Sequence, residues 1–142
     1  MKKIRTMPFA LMLLALFFST GCQSEGLTAQ EAQNTLDETK IASQTDALIS
    51  NGIEIATQFT IGQGVQQAAE EIRNFILSQI PCAEVELSGG TLTITYGVHD
   101  GNCTFHGQTF SGSHTITVTS NEPGSVQVDH VWTDFSNGAV KV

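Results

Sequence analysis

Four histidines lie within 32 residues in the second half of the chain: His99, His106, His114 and His130. Imidazole is the side chain most easily tuned to change charge between pH 5 and 8, and it is also a common ligand of Zn²⁺. Histidines do this chemistry only where the fold brings them together. The question is therefore which of the four can meet.

His114 and His130 are the two that strand pairing can bring together. If the hairpin between them pairs Val118 with Val126, His114 lies opposite His130 on one face of a sheet. A register shifted by two residues places Trp132 opposite His114 instead.

Asp100 or Asp129 could complete a Zn²⁺ site or a pH sensor around His114 and His130, which makes the pair a weak candidate for either role. Two hydrogen-bonded, partly buried histidines without a ligand are the favoured interpretation, because their spacing is not specific to metal sites. A catalytic pair of Cys103 and His106 is weaker still, since a three-residue step along a strand points to opposite faces.

The first 21 residues have the pattern of a bacterial export signal. Residues 2–5 carry three positive charges, and Phe9 to Phe18 is an unbroken apolar run, too short to span a bilayer. The segment Ser19-Thr20-Gly21-Cys22 resembles the lipobox of bacterial lipoproteins, although Ser19 stands where an aliphatic residue is usual.

This resemblance implies that Cys22 becomes the first residue of the mature chain and carries acyl groups that hold it in a membrane. Two or more chains are what stable anchoring requires. Gln23 follows, where an aspartate is common in lipoproteins of the inner membrane, so an outer membrane is favoured if the host has one. The alternative is an ordinary secretory signal cut near Gly21, which leaves Cys22 as a thiol.

With Cys22 assigned to lipid, the exported remainder holds one pair of cysteines, Cys82 and Cys103. An even number of cysteines in an oxidising compartment predicts a disulfide. The alternative is two buried reduced thiols.

The charge distribution limits the partners of the mature chain. All 14 acidic residues follow residue 21, but only Lys40, Arg73 and Lys141 are basic there, so residues 22–142 carry a formal net charge of −11. Such a surface repels nucleic acid and anionic lipid headgroups. We therefore expect no nucleic-acid partner and a membrane contact made through acyl chains alone.

Two helices are predicted between residues 29 and 80. Thr28 and Glu31 have capping-box spacing and start a polar helix that should stop near Asn51-Gly52; the alternative is that residues 53–61 continue as a helix. Apolar residues at steps of three and four from Val65 to Ile80 predict a second helix, which Pro81 ends.

From residue 81 onward the period changes to two, which predicts strands. Gly89-Gly90 fits a hairpin turn that pairs Ser88 with Thr91 and Val85 with Ile94. Further strands are predicted over 103–106, 109–120 and 126–135. The expected fold class is α+β, with N-terminal helices packed on an antiparallel β-meander.

The predicted organisation is therefore a signal peptide at 1–21, a lipidated cysteine and polar tether at 22–28, a helical region at 29–80 and a sheet region at 81–142. Residues 29–142 form one domain. A last strand of four residues, after Asn137-Gly138, would be a poor sheet edge, so we expect the sheet to be completed by further residues or by a partner.

Two segments add to the resemblance: Gly107–Gly112 (GQTFSG) and Val131–Gly138 (VWTDFSNG). With the lipobox and the threonine-rich strands, they resemble uncharacterised bacterial envelope lipoproteins over residues 82–142 and the signal. The resemblance implies an envelope location and supplies no activity.

No nucleophile elbow, metalloprotease motif, phosphate loop, dinucleotide fingerprint or EF-hand is present in the sequence. The expected function is thus a non-enzymatic structural or binding module without a cofactor, with an envelope protein or a glycan as its partner. Trp132 and Tyr96, or the outward threonines, are the candidate contact residues, although core packing and strand propensity explain them more simply. A metal-binding or pH-responsive domain using His114 and His130 is the alternative, and a hydrolase of envelope polymers has least support.

Overall fold

The computed structural model describes residues 28–142. The predicted signal peptide, Cys22 and all of the tether before Thr28 lie outside these residues. The elements in chain order are α1 (Ala29–Ala56), α2 (Val65–Gln79), β1 (Glu84–Ser88), β2 (Thr91–Tyr96), β3 (Thr104–Phe105), β4 (Gln108–Thr109), β5 (Ser111–Glu122) and β6 (Ser125–Ser136). The α+β arrangement of N-terminal helices followed by an antiparallel meander is confirmed.

α1 begins as its sequence predicts and ends later. Thr28 Oγ1 accepts a hydrogen bond from Glu31 N at 3.2 Å, and the Glu31 carboxylate accepts one from Thr28 N at 2.8 Å. The predicted stop at Asn51-Gly52 is wrong, because the helix continues to Ala56. Gly52 is buried, and a Cβ there would lie within 3.4–3.6 Å of side chains from the sheet. The glycine thus permits close packing and does not end the helix.

α2 matches its prediction and ends before Pro81. Its buried residues, Ala68, Ala69, Ile72 and Ile76, lie on one face, which packs on the sheet. An amphipathic stripe of this kind is stabilised mainly by burial of its apolar face. The helix therefore covers β1, β2 and β5.

The main sheet has the strand order β1-β2-β5-β6. The segment that joins β2 to β5 in the sequence forms a small separate hairpin of β3 and β4. The predicted register of the first hairpin is confirmed: Ser88 pairs with Thr91 and Val85 with Ile94. The predicted strand over 109–120 is divided in the structure, because Phe110 lies between β4 and β5 and is buried in the core.

The two faces of the sheet differ in chemistry. The inner face carries apolar and aromatic side chains and is covered by the helices. Tyr96, Phe110 and Phe135 pack together there, with ring centroids 5.2–5.5 Å apart. The interpretation of Tyr96 as a core residue is confirmed, since its side chain is 5% exposed.

The outer face carries threonines from the two central strands. Thr93 of β2 lies beside Thr115 of β5, and Thr91 beside Thr117, whose hydroxyl oxygens are 3.2 Å apart. These side chains are half-buried, and exposed carboxylates flank them on β1 and β6. The outward orientation of the threonines is as predicted.

Candidate functional site

The hairpin of β5 and β6 brings His114 and His130 into contact on the inner face of the sheet. The register is the one shifted by two residues: Val118 pairs with Val128, and His114 lies opposite Trp132. His130 is then the diagonal neighbour of His114, and its Nδ1 lies 3.0 Å from His114 Nε2. The two histidines are therefore hydrogen-bonded although they are not directly paired.

Aromatic rings enclose this pair. Trp132 stacks on both histidines, with ring centroids 5.5 Å from each, and Phe135 lies 5.6 Å from His114. The backbone of α1 closes the site from above at Gly52. His114 is fully buried, whereas His130 and Trp132 are half-buried at the flank of β6.

Burial determines the protonation of the pair. Burial, with a smaller contribution from the neighbouring His130, lowers the pKa of His114 to about 3. Burial also lowers the pKa of His130, although the charge of Asp129 opposes this effect. Both rings are therefore neutral at neutral pH.

The hydrogen-bond pattern selects one tautomer. His114 Nδ1 is buried and has no hydrogen-bond partner among the described residues. An unpaired buried N–H is rarer than an unpaired acceptor. The favoured tautomer therefore carries its hydrogen on His114 Nε2 and donates it to His130 Nδ1.

The other two histidines lie apart from this pair. His99 is exposed in the turn that follows β2. His106 is exposed, stacks on Phe105 with ring centroids 4.1 Å apart, and lies 3.5 Å from a Glu54 oxygen. Asp129 projects on the opposite face of β6 from His130, so it does not complete a metal site there.

Cys82 and Cys103 form the predicted disulfide. It joins the segment before β1 to the segment before β3. The carbonyl of Cys82 also accepts hydrogen bonds from Val98 N and His99 N, each at 3.1 Å. The disulfide therefore fixes the loop after β2 to the end of α2.

Asn121 is a buried polar residue whose role the sequence did not suggest, since it resembles part of a turn. Its side-chain nitrogen donates to the carbonyls of Thr60 and Gln63 at 2.8 and 3.0 Å. The main-chain carbonyl of Asn121 accepts a hydrogen bond from Gly62 N at 3.1 Å. Asn121 thus holds the α1-α2 loop against the end of β5.

Two further findings concern residues 28–142 alone. No group of three or more His, Cys, Asp or Glu side chains in this part is arranged to hold a metal ion, and no pocket opens in it. Neither α1 nor α2 combines the length and the hydrophobicity that crossing a membrane requires.

Comparison with known proteins yields no match: no protein-family model fits the chain, and no curated protein or solved structure is significantly similar to it.

Proposed function

We propose that this chain is a bacterial lipoprotein, anchored in the cell envelope through acyl chains on Cys22, whose domain is a non-enzymatic structural or binding module. The observation that carries the proposal is the order of charged start, apolar run and Ser19-Thr20-Gly21-Cys22. An outer membrane is the favoured location where the host has one, as Gln23 suggests.

The disulfide between Cys82 and Cys103 supports an envelope location. Disulfides form and persist in oxidising compartments such as the periplasm and are rare in the cytosol. A folded body that holds one such bond is therefore consistent with export by the signal peptide.

The surface of the domain supports a binding role over contact with nucleic acid. Residues 22–142 carry a formal net charge of −11, which repels phosphate groups. The helices cover one face of the sheet, and the other face presents hydroxyl groups bordered by Glu84, Glu86 and Asp129. An envelope protein or a neutral glycan is the partner that such a surface accepts.

Replacement of the lipidated residue tests the anchor. We expect the wild-type chain to fractionate with membranes and to show by mass spectrometry the added mass of fatty acyl groups. The Cys22→Ser variant should lack this mass and leave the membrane fraction. A Cys82→Ala/Cys103→Ala double variant is the control, because it removes two thiols and keeps the lipidation site.

An unmodified mass for the wild-type chain, together with a Cys22→Ser variant that stays in the membrane fraction, would contradict the anchor.

A pH-responsive domain is the second candidate function. The observation that favours it is the 3.0 Å contact between His114 Nε2 and His130 Nδ1 beneath the half-buried Trp132. Protonation of His130 turns its Nδ1 from an acceptor into a donor, which breaks the bond that His114 donates.

Trp132 is the only tryptophan of the chain and reports on this change directly. We expect its fluorescence to titrate with a midpoint below pH 6.5, and we expect a His130→Gln variant to lose that transition. A His99→Gln variant is the matched control. An unchanged emission between pH 7 and 4 would remove this candidate, and elemental analysis of protein purified without chelator tests its metal-binding form.

A further inference from the structure

β6 is the long edge strand of the sheet and has few of the features that protect such edges. It has 12 residues, with neither lysine nor proline among them, and β5 is its only strand neighbour within residues 28–142. Natural edge strands are usually short, charged or interrupted, because their unpaired backbone groups attract other strands. The opposite edge follows this rule, since β1 has five residues and exposes Glu84 and Glu86.

Two backbone hydrogen bonds already form beside the free side of β6 at its C-terminal end. Asn137 N donates to Val140 O at 3.3 Å, and Val142 N donates to Phe135 O at 2.8 Å. Ser136 and Lys141 form an antiparallel bridge between these bonds. The chain thus folds back along the end of β6 through one isolated bridge, and from Ser125 to Thr133 the free side of β6 has no strand neighbour among the described residues.

The side chains along this free stretch define what a neighbouring strand must carry. On the inner flank, Val128, His130 and Trp132 are half-buried and Val126 is 44% exposed, so apolar residues fit beside them. On the outer flank, Asp129 is the acidic residue. The nearby pair of Lys141 Nζ and Asp134 Oδ1, 2.7 Å apart, shows that a lysine on the added strand fits an acidic residue of this edge.

A second copy of the chain fits this edge poorly. Symmetric antiparallel pairing of residues 125–133 centres on Asp129 and places it opposite the same residue of the copy, and like charges directly opposite each other are destabilising. The net charge of the chain opposes self-association as well. A segment of a different polypeptide therefore fits this edge better than a second copy does.

We propose that the free edge of β6, from Ser125 to Thr133, binds an extended segment of a partner protein as an added antiparallel strand, with a basic residue opposite Asp129 and apolar residues beside His130 and Trp132. The backbone supplies the affinity, and the alternate side chains supply the specificity. This inference rests on the proposed binding function and names its site and the chemistry of its partner.

A synthetic peptide tests the proposal. The peptide Thr-Val-Thr-Val-Lys-Val-Thr-Val-Thr places lysine opposite Asp129 and valines on the inner flank. Titrated into the full chain, it should shift the Trp132 emission to shorter wavelength, because the added strand covers the half-buried indole. The same peptide with N-methyl groups on the alternate residues whose N–H groups would face β6 should not bind in this way, since that edge can no longer donate hydrogen bonds to β6.

Charge exchange supplies the specific control. The peptide with glutamate in place of lysine should bind at least about fivefold more weakly than the lysine peptide, in line with the energy of cross-strand charge pairs. An Asp129→Lys variant should reverse this preference. An Asp100→Lys variant carries the same change of charge away from β6, so it should keep the preference for the lysine peptide.

Three results would overturn the proposal: no peptide-dependent change in Trp132 emission, equal binding of the lysine and glutamate peptides, or sedimentation showing that the chain alone is a dimer with Trp132 already shielded. Acylation of Cys22 is measured separately by mass. Failure at the edge with an acylated, membrane-bound chain therefore rejects this inference and leaves the anchor intact.

Discussion

The buried histidine pair makes the stability of the domain depend on pH. The pKa of His114 lies at about 3 in the folded protein and near 6.5 in the unfolded chain. Between these two values the unfolded chain binds more protons than the folded chain, so acid favours unfolding. The stabilisation of the neutral pair is complete above about pH 6.5 and decreases as the pH falls toward 3.

We predict that a His114→Phe variant loses much of this dependence. At pH 5, protonation of His114 in the unfolded chain lowers the free energy of unfolding of the wild-type protein by an amount on the order of 2 kcal/mol, since each pKa unit corresponds to 1.36 kcal/mol. The free energy of unfolding, measured in urea at several pH values between 7 and 4.5, should therefore fall less steeply for the variant. Both proteins have the same carboxylates, so the contribution of these groups to the pH dependence cancels when the two proteins are compared.

A His99→Phe variant is the control, because it removes an exposed imidazole in the turn after β2 and leaves the buried pair intact. Equal slopes for the wild-type protein and His114→Phe would contradict the assignment of a buried neutral imidazole.

Sequence periodicity predicts that His114, His130 and Trp132 share a face, but it does not determine which of them are neighbours. Every register that differs by two residues keeps the same face inward. The structure resolves the choice through Pro123-Gly124, which joins Glu122 to Ser125, and through a bulge between Val118 and Ser120. The bulge moves the buried positions of β5 from even-numbered residues to Asn121, and because Asn121 is polar this shift leaves no trace in the apolar alternation of the sequence.

At the scale of elements, the start of β5 depends on a glycine. Gly112 has a φ of +85°, and a Cβ there would overlap the backbone of Asp134. Asp134 itself has a φ of +54°, at the second register shift between β5 and β6. The two strands approach closely here, which leaves no room for a side chain.

We predict that Gly112→Ala lowers the free energy of unfolding by more than about 2 kcal/mol, because left-handed strain of about 1–2 kcal/mol adds to the overlap. Gly97→Ala is the matched control: its φ is +79°, and no atom lies within 4 Å of the added methyl group. The control should show the strain alone. Chemical unfolding of both variants measures the difference, and equal losses would show that no overlap occurs.

The elements themselves were predictable to different degrees. The first hairpin was predicted with its register, because turn residues and apolar alternation agree between Val85 and Ile94. The end of α1 was not, since Gly52 satisfies both a helix stop and a tight helix-sheet contact. Only tertiary packing distinguishes these two uses of glycine.

For the whole molecule, the disulfide closes a loop across a sequence separation of 21 residues. The chain-entropy model assigns about 3 kcal/mol of stability to a loop of this length. We predict a loss of this size for the Cys82→Ala/Cys103→Ala variant, measured as the change in unfolding free energy in urea. The Cys22→Ser variant keeps the disulfide and should retain wild-type stability, and identical midpoints for all three proteins would contradict a stabilising role.

Stability is distributed unevenly along α1, because its two halves differ in burial. Residues 29–43 are exposed except for half-buried Ala32, whereas Leu48, Gly52, Ile55 and Ala56 are buried. A helix of about 15 unpacked residues is marginal in water. At 1.5 Å per residue it projects about 22 Å from the body.

We therefore predict that amide hydrogens of residues 31–43 exchange far faster than those of residues 48–56, as hydrogen exchange with mass spectrometry can measure. Thr28→Ala removes the capping bond, which is typically worth about 1 kcal/mol, so it should accelerate exchange in the first segment by about fivefold. The midpoint of global unfolding should not change, because the core does not contact that segment. If residues 31–43 were instead as protected as residues 48–56 in the full chain, this half of α1 would have to pack against another surface, and its description as an exposed extension would be wrong.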